Sequence, residues 1–127
     1  MFSKPLVAGI ILGLLPSIAT ADGMIVTLPE YCDLDESAVL DNGGYVLHSN
    51  DIEGIEYICE FDPLPARFWE DNNVDIRTGY CASGIEFTPQ VFAFTEGHQM
   101  PGEIRVIGAG GLREMKIFYV CDLQPSR

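Results

Sequence analysis

Apolar and polar residues alternate over several short stretches of this chain, which is the pattern of half-buried β-strands. The clearest stretch runs from Ile55 to Phe61, where Ile55, Tyr57, Cys59 and Phe61 share one face and acidic residues occupy two of the positions between them. Strand-forming residues recur in six further stretches. The seven predicted strands cover residues 25–28, 45–48, 55–61, 76–80, 85–95, 103–107 and 115–121.

Turn signals separate these stretches, as at Asn42-Gly43-Gly44 and in the glycine-rich residues 108–111. No long segment shows the 3.6-residue period of a helix, and the acidic stretch from Asp33 to Asp41 has room for about one helical turn. Pro89 predicts a break or an edge position within its strand. The sequence therefore predicts an all-β fold, a small antiparallel sandwich or barrel of six to eight short strands.

The first 21 residues have the order of a secretory signal peptide. Lys4 precedes an apolar run from Pro5 to Leu15, and small residues then end in Ala19-Thr20-Ala21. The run is shorter than the roughly 20 apolar residues that a membrane span needs. We therefore predict cleavage after Ala21, a single mature domain over residues 22–127, and no membrane span after cleavage.

Four cysteines lie beyond the predicted leader, which in a short exported domain indicates two disulfides in an oxidising periplasmic or extracellular space. No C-x-x-C pair is present, so a thioredoxin-like or zinc-ribbon site is not expected. Three pairings are possible. The shared Tyr-x-Cys setting of Cys59 and Cys121, and the Tyr-Cys setting of Cys32 and Cys81, favour 59–121 and 32–81.

The chain is strongly acidic, with 19 Asp and Glu residues against seven Lys and Arg residues and a net charge of −12. Removal of the leader would also remove Lys4. Such a surface repels nucleic acid, because phosphate binding needs an excess of Lys and Arg. It attracts basic proteins. The alternative is that the charge only keeps the protein soluble. We expect no nucleic-acid partner and consider a basic protein partner.

Catalytic and metal-binding motifs do not emerge from the sequence. His48 and His98 are not in a ligand spacing, and Asp71, Asn73 and Asp75 lack the later glycine and bidentate carboxylate of a calcium loop. No nucleophile elbow or phosphate-binding glycine loop is present. The sequence thus predicts a protein that is not an enzyme and has no cofactor and no metal, with an enzyme of unrecognised motif as the alternative.

Two loops contain residue types that often carry interface energy. Arg67, Phe68 and Trp69 form one candidate binding segment, with the alternative that both aromatic residues fold back onto a small core. His98 lies in the other, residues 96–102, for which a plain hairpin loop is the alternative.

From Tyr57-x-Cys59 onward, the chain resembles the small periplasmic inhibitors of c-type lysozyme. Ala82-Ser83-Gly84 with Phe87, an aromatic stretch over residues 91–97 and a closing Cys121 follow in the order of that family. The resemblance implies a disulfide-linked antiparallel β-barrel whose Ser-Gly segment enters the lysozyme cleft, which makes Ser83 and Gly84 candidate contacts. Glu86 stands where the family has a basic residue. The chain also resembles short exported bacterial proteins of no assigned activity.

Three functions are consistent with these observations. The favoured one is an exported binding domain without enzymatic activity, and the second is an inhibitor of a lysozyme-type hydrolase. The third is a small enzyme. The oligomeric state is not indicated by the sequence.

Overall fold

A computed structural model describes residues 23–97, 99–110 and 115–125. The predicted signal peptide and its cleavage point therefore lie outside the described residues. Eight strands make up the fold. They are β1 (Ile25–Val26), β2 (Val46–Leu47), β3 (Asp51–Gly54), β4 (Tyr57–Phe61), β5 (Asp75–Ser83), β6 (Glu86–Glu96), β7 (Glu103–Gly110) and β8 (Lys116–Val120).

The strands form a closed antiparallel barrel in which each strand pairs with the next and β8 pairs with β1. The all-β prediction is confirmed, and of the two architectures expected the structure adopts the barrel. The longest ladder joins β5 to β6, from Asp75 opposite Phe94 to Ser83 opposite Glu86. Closure between Ile25 and Val120 gives the first and last strands each a partner on both sides, which limits edge-to-edge aggregation.

The interior of the barrel is filled by large apolar side chains that alternate with outward-facing residues. Phe92 and Phe94 of β6 and Phe118 of β8 are fully buried, together with Ile104 and Val106 of β7. Phe61 packs its ring 5.0 Å from the ring centroids of both Phe92 and Phe94. Tilted aromatic pairs at such distances add to the gain from burying apolar area, so this ring cluster is the centre of stability.

A second, smaller cluster covers the outside of β1 and β2. Asp35 is the N-cap of helix α1 (Glu36–Asp41), and its side chain accepts a hydrogen bond from the Ala38 amide at 2.8 Å. Its only buried residue, Val39, packs with Met24, Val26 and Val46. The helix is thereby held against the β2 strand, and 3-10 turns at Pro29–Asp33 and Cys121–Leu123 flank this cluster.

The sequence-based boundaries differ from the structure at several strand ends, and Gly108–Gly110, expected in a turn, are the last residues of β7. Strand β3 was not predicted, because Ile52 is its only large apolar residue. Ile55, expected on the inner face of β4, lies in the β3–β4 turn and is 60 % exposed, since β4 begins only at Tyr57. Pro89 lies inside β6, opposite Tyr80 of β5, whereas the described pairing of β6 with β7 reaches only Gln90. Pro89 therefore lies beyond the part of the β6–β7 ladder that the structure describes.

The disulfides are Cys32–Cys121 and Cys59–Cys81, so the favoured pairing of 59–121 with 32–81 is wrong. Cys59 of β4 and Cys81 of β5 are directly opposite in register, and both side chains are buried inside the barrel. Cys121 follows β8 at the point where its amide bonds to Met24, beside the turn that contains Cys32. Similar local sequence does not bring cysteines together, whereas strand register does.

Two disulfides indicate an oxidising environment. Among the described residues, the structure contains no helix with the length and apolar character needed to cross a bilayer.

Candidate protein-binding surface

The outer surface of β5, β6 and β7 carries a row of exposed apolar side chains. Exposure is 61 % for Ile76, 65 % for Phe87, 44 % for Val91 and 47 % for Ile107. The register makes them neighbours: Ile76 is opposite Ala93, and Ala93 is opposite Ile107 on its other side. Monomeric proteins seldom expose contiguous apolar patches of this kind without a binding role. We define the apolar face as Ile76, Thr78, Tyr80, Phe87, Pro89, Val91, Ala93 and Ile107.

Tyr80 and Phe87 form an ordered aromatic platform at one end of the apolar face. Their rings are stacked, with centroids 4.3 Å apart and an interplanar angle of 13°. The Tyr80 hydroxyl donates a hydrogen bond to a carboxylate oxygen of Glu60 on β4. This hydrogen bond raises the pKa of Tyr80 and fixes the ring. A preordered aromatic surface loses little side-chain entropy when a partner covers it.

Charge is distributed unevenly around this surface. The consecutive outward positions of β5 from Ile76 to Ala82, and of β6 from Phe87 to Ala93, contain no charged residue. Acidic residues occur at the border instead, at Glu60 on β4 and Glu86 at the hairpin end, and Arg105 lies at the border on β7, two residues before Ile107. The pattern is an apolar centre with an acidic border.

The β5–β6 hairpin projects from one end of the barrel next to the aromatic platform. Its two-residue loop is Gly84-Ile85, and Gly84 has a φ of +61°, which such loops favour in glycine. Ser83 is exposed, and the side chain of Ile85 is fully exposed. The tip therefore presents Ser83, Gly84 and Ile85 to solvent.

A shallow groove of about 500 Å³ separates this tip from the β3–β4 hairpin. It is lined by residues of both hairpins, with the carboxylates of Glu53 and Glu56 on one side and Gly84 on the other. Burial raises the pKa of Tyr57, whose ring also lines the groove. An acidic groove beside an apolar hairpin tip suits a basic side chain of a partner.

The structure places the segment Arg67-Phe68-Trp69 largely in a structural role. Phe68 is buried, and Trp69 packs against the core with its ring centroid 5.4 Å from that of Phe68. Arg67 is exposed and pairs with Glu70, its Nε donating to Oε2 at 2.9 Å. This ion pair raises the pKa of Arg67 and lowers that of Glu70. The segment thus caps the barrel, as the alternative interpretation expected.

Of the two candidate histidines, the structure describes His48 and not His98. His48 follows β2, and its Nδ1 lies 2.6 Å from Oδ1 of Asp51, while Nε2 lies 3.1 Å from Oε1 of Glu36. Burial lowers the pKa of His48, but the hydrogen bonds to Asp51 and Glu36 outweigh it, so the pKa is raised overall.

Ser83 and Gly84 were named as candidate contacts from a family resemblance, and the structure places them at an exposed hairpin tip, whereas the apolar face was not predicted. A signal for that face was present: β6 is apolar at both alternating sets of positions, with Phe92 and Phe94 on one and Phe87 and Val91 on the other. Only the first of these two sets is buried.

Fold and surface together define a small disulfide-linked closed barrel of eight antiparallel strands with an apolar outer face. No family model, curated protein or solved structure matches the chain.

Proposed function

We propose that this chain is an exported, periplasmic or secreted binding protein without enzymatic activity, and that its apolar face binds a basic protein partner. The observation that carries the proposal is the exposure of Ile76, Phe87, Val91 and Ile107 on one face of the barrel, where the outward positions of β5 and β6 contain no charged residue from Ile76 to Ala82 and from Phe87 to Ala93. The predicted signal peptide and the two disulfides support export.

The partner has an apolar patch with Lys and Arg around it. Apolar contact at the centre supplies affinity, because removal of such area from water contributes about 25 cal/mol per Å². The acidic border and the net charge of −12 speed encounter with a basic surface. A second acidic copy is a poorer occupant, since the same charge that attracts a basic protein repels another copy of this chain.

Photocrosslinking tests this proposal in cells that make the protein. A photoreactive residue at Val91 is expected to crosslink to a basic protein, and Phe87→Glu is expected to reduce the crosslink at least tenfold. The matched controls are a photoreactive residue at Leu28 and the substitution Leu28→Glu. Leu28 is 42 % exposed but lies outside the apolar face. Crosslinking only to a second copy, or equal crosslinking from Leu28, would overturn the proposal.

A lysozyme-type hydrolase inhibitor is the second candidate function. It is favoured by the exposed Ser83-Gly84 tip, where the β5–β6 hairpin turns through a two-residue loop. Inhibition of a c-type lysozyme at micromolar protein, with loss of inhibition in Ser83→Ala, is expected from it. Thr78→Ala, an exposed change on the same hairpin, is the control. Full lysozyme activity at that concentration would remove this candidate.

A further inference from the structure

A cluster of metal-ligating groups lies on the outside of the barrel, and one of its residues, Glu53, also lines the acidic groove. It joins Glu36 in the first turn of α1, His48 after β2, and Glu53 of β3. One ligand atom from each residue lies within 4.8 Å of the other two. Three ligands from three separate elements thus converge on one point.

The backbone holds these three residues in place. Val39 of α1 is fully buried against Val46 of β2, which fixes the helix relative to the strand. Val46 is in turn directly opposite Glu53 in the β2–β3 ladder, and the His48 amide bonds to the Asp51 carbonyl at 2.8 Å. The positions of Glu36, His48 and Glu53 are therefore set by the packing and by the hairpin.

Asp51 orients the imidazole. Its Oδ1 lies 2.6 Å from Nδ1 of His48, which donates its hydrogen to that carboxylate, and Nε2 lies 3.1 and 3.2 Å from the two carboxylate oxygens of Glu36. A carboxylate that holds the other ring nitrogen is the usual surrounding of a histidine bound to a metal. A bound metal would replace the hydrogen that Nε2 donates to Glu36, while Asp51 keeps the hydrogen on Nδ1.

We propose that Glu36, His48 and Glu53 bind a divalent transition-metal ion, with Zn²⁺ as the preferred ion and Asp51 as a positioning residue. A tetrahedral Zn²⁺ lies about 2.0–2.1 Å from nitrogen and oxygen ligands, which puts the ligand atoms about 3.4 Å apart. The separation of 3.1 Å between His48 Nε2 and Glu36 Oε1 is close to that value. The ligand atom of Glu53 lies within 4.8 Å of both and would move closer to them on binding the ion.

The chemistry of the ligands favours zinc over calcium or magnesium. Ca²⁺ takes six to eight oxygen ligands and Mg²⁺ needs an octahedral oxygen shell, whereas imidazole with two carboxylates suits Zn²⁺. Two carboxylates also neutralise the charge of the ion. Binding would fasten α1 to the β2–β3 hairpin, and the fourth coordination position would remain open to water.

Calorimetric titration of the metal-free, disulfide-intact protein with Zn²⁺ alone tests this assignment. We expect one ion per chain, micromolar or tighter affinity, and a melting temperature that rises with Zn²⁺ concentration. Ca²⁺ and Mg²⁺ at equal concentrations should leave the melting temperature unchanged. Co²⁺ should give the visible absorption of a tetrahedral site.

Variants separate this site from general attraction of cations to an acidic surface. His48→Gln and Glu53→Gln are each expected to weaken Zn²⁺ binding at least tenfold, and either variant is informative if the other does not fold. Glu30→Gln removes the same charge from an exposed residue outside the cluster and should bind as the parent does. Asp51→Asn should weaken binding while changing the His48 ring-nitrogen NMR shifts. No saturable binding, or equal losses in Glu30→Gln and Glu53→Gln, would overturn the proposal.

Discussion

Cys59 of β4 lies directly opposite Cys81 of β5, and the disulfide between them crosses neighbouring strands inside the barrel. The second disulfide is of another kind, because it joins the turn that follows β1 to the end of β8 across 89 positions of sequence. One crosslink therefore reinforces a ladder, and the other holds the ends of the chain together.

Removal of either disulfide should destabilise the fold. Loop entropy alone gives about 3.4 kcal/mol for Cys59–Cys81, whose sequence separation is 22, and about 4.6 kcal/mol for Cys32–Cys121. Alanine at both positions of a pair avoids a buried hydroxyl, so urea unfolding of each double variant measures the loss.

Peptide mapping without reductant should find Cys59 joined to Cys81; a peptide joining Cys59 to Cys121 would contradict the structure.

Phe92→Ala should cost about 3–5 kcal/mol of unfolding free energy, because the side chain is fully buried and its removal leaves a cavity. Phe87→Ala is the matched control on the same strand, since its ring is 65 % exposed and should cost under about 1 kcal/mol. Denaturant unfolding compares the two. Equal losses would mean that the inner and outer faces of β6 are assigned the wrong way round.

Gly79→Ala should disrupt the contact between β4 and β5. A Cβ atom at Gly79 would lie 1.8 Å from the Glu60 carbonyl oxygen, which is backbone and cannot rotate away. Overpacking of this kind costs about 1–3 kcal/mol. Gly23→Ala, which meets nothing within 4 Å, is the control, and both melting temperatures are measured by circular dichroism. A Gly79→Ala variant as stable as Gly23→Ala would show that the strands are further apart here.

The stability of the metal-free protein should fall as pH rises past neutrality. The carboxylates of Asp51 and Glu36 raise the pKa of His48 above its ordinary value of 6.5, despite burial, and Glu53 also lies nearby. A raised folded-state pKa stabilises the fold fully below the unfolded value and loses that contribution as pH passes through the folded value. Urea unfolding with chelator at pH 5.5 and 8.5 should show the loss in the parent and not in His48→Gln. A parent that is equally stable at both values would contradict it.

The fold class was predictable because the sequence signals of strands and turns are local. The alternation from Tyr57 to Phe61 and the glycine turn before β2 each depend on a few neighbouring residues. The choice between sandwich and barrel was not predictable, since it depends on the pairing of Ile25 with Val120 at opposite ends of the sequence. Strand β3 also escaped prediction, because one buried residue gives too little alternation.

The candidate sites were predictable to different degrees. Ser83 and Gly84 were named only from a family resemblance, and the capping role of Phe68 was anticipated from its size. The apolar face was not found, because Ile76, Val91 and Ile107 come from three strands and become neighbours only through register. The same holds for the approach of Glu36 to His48, which depends on how α1 packs against β2.

Barrel closure also bears on how the chain comes to its final form. Its first strand pairs with its last, so an emerging polypeptide cannot complete the ring until Lys116–Val120 is present. Until then β1 has no β8 beside it, and Cys32 has no Cys121 to react with. The hairpin carrying Cys59 and Cys81 needs no such delay. A nascent or truncated chain that lacks its C-terminus would therefore have two unpaired sheet edges and a free Cys32 thiol. Such a form is prone to intermolecular association.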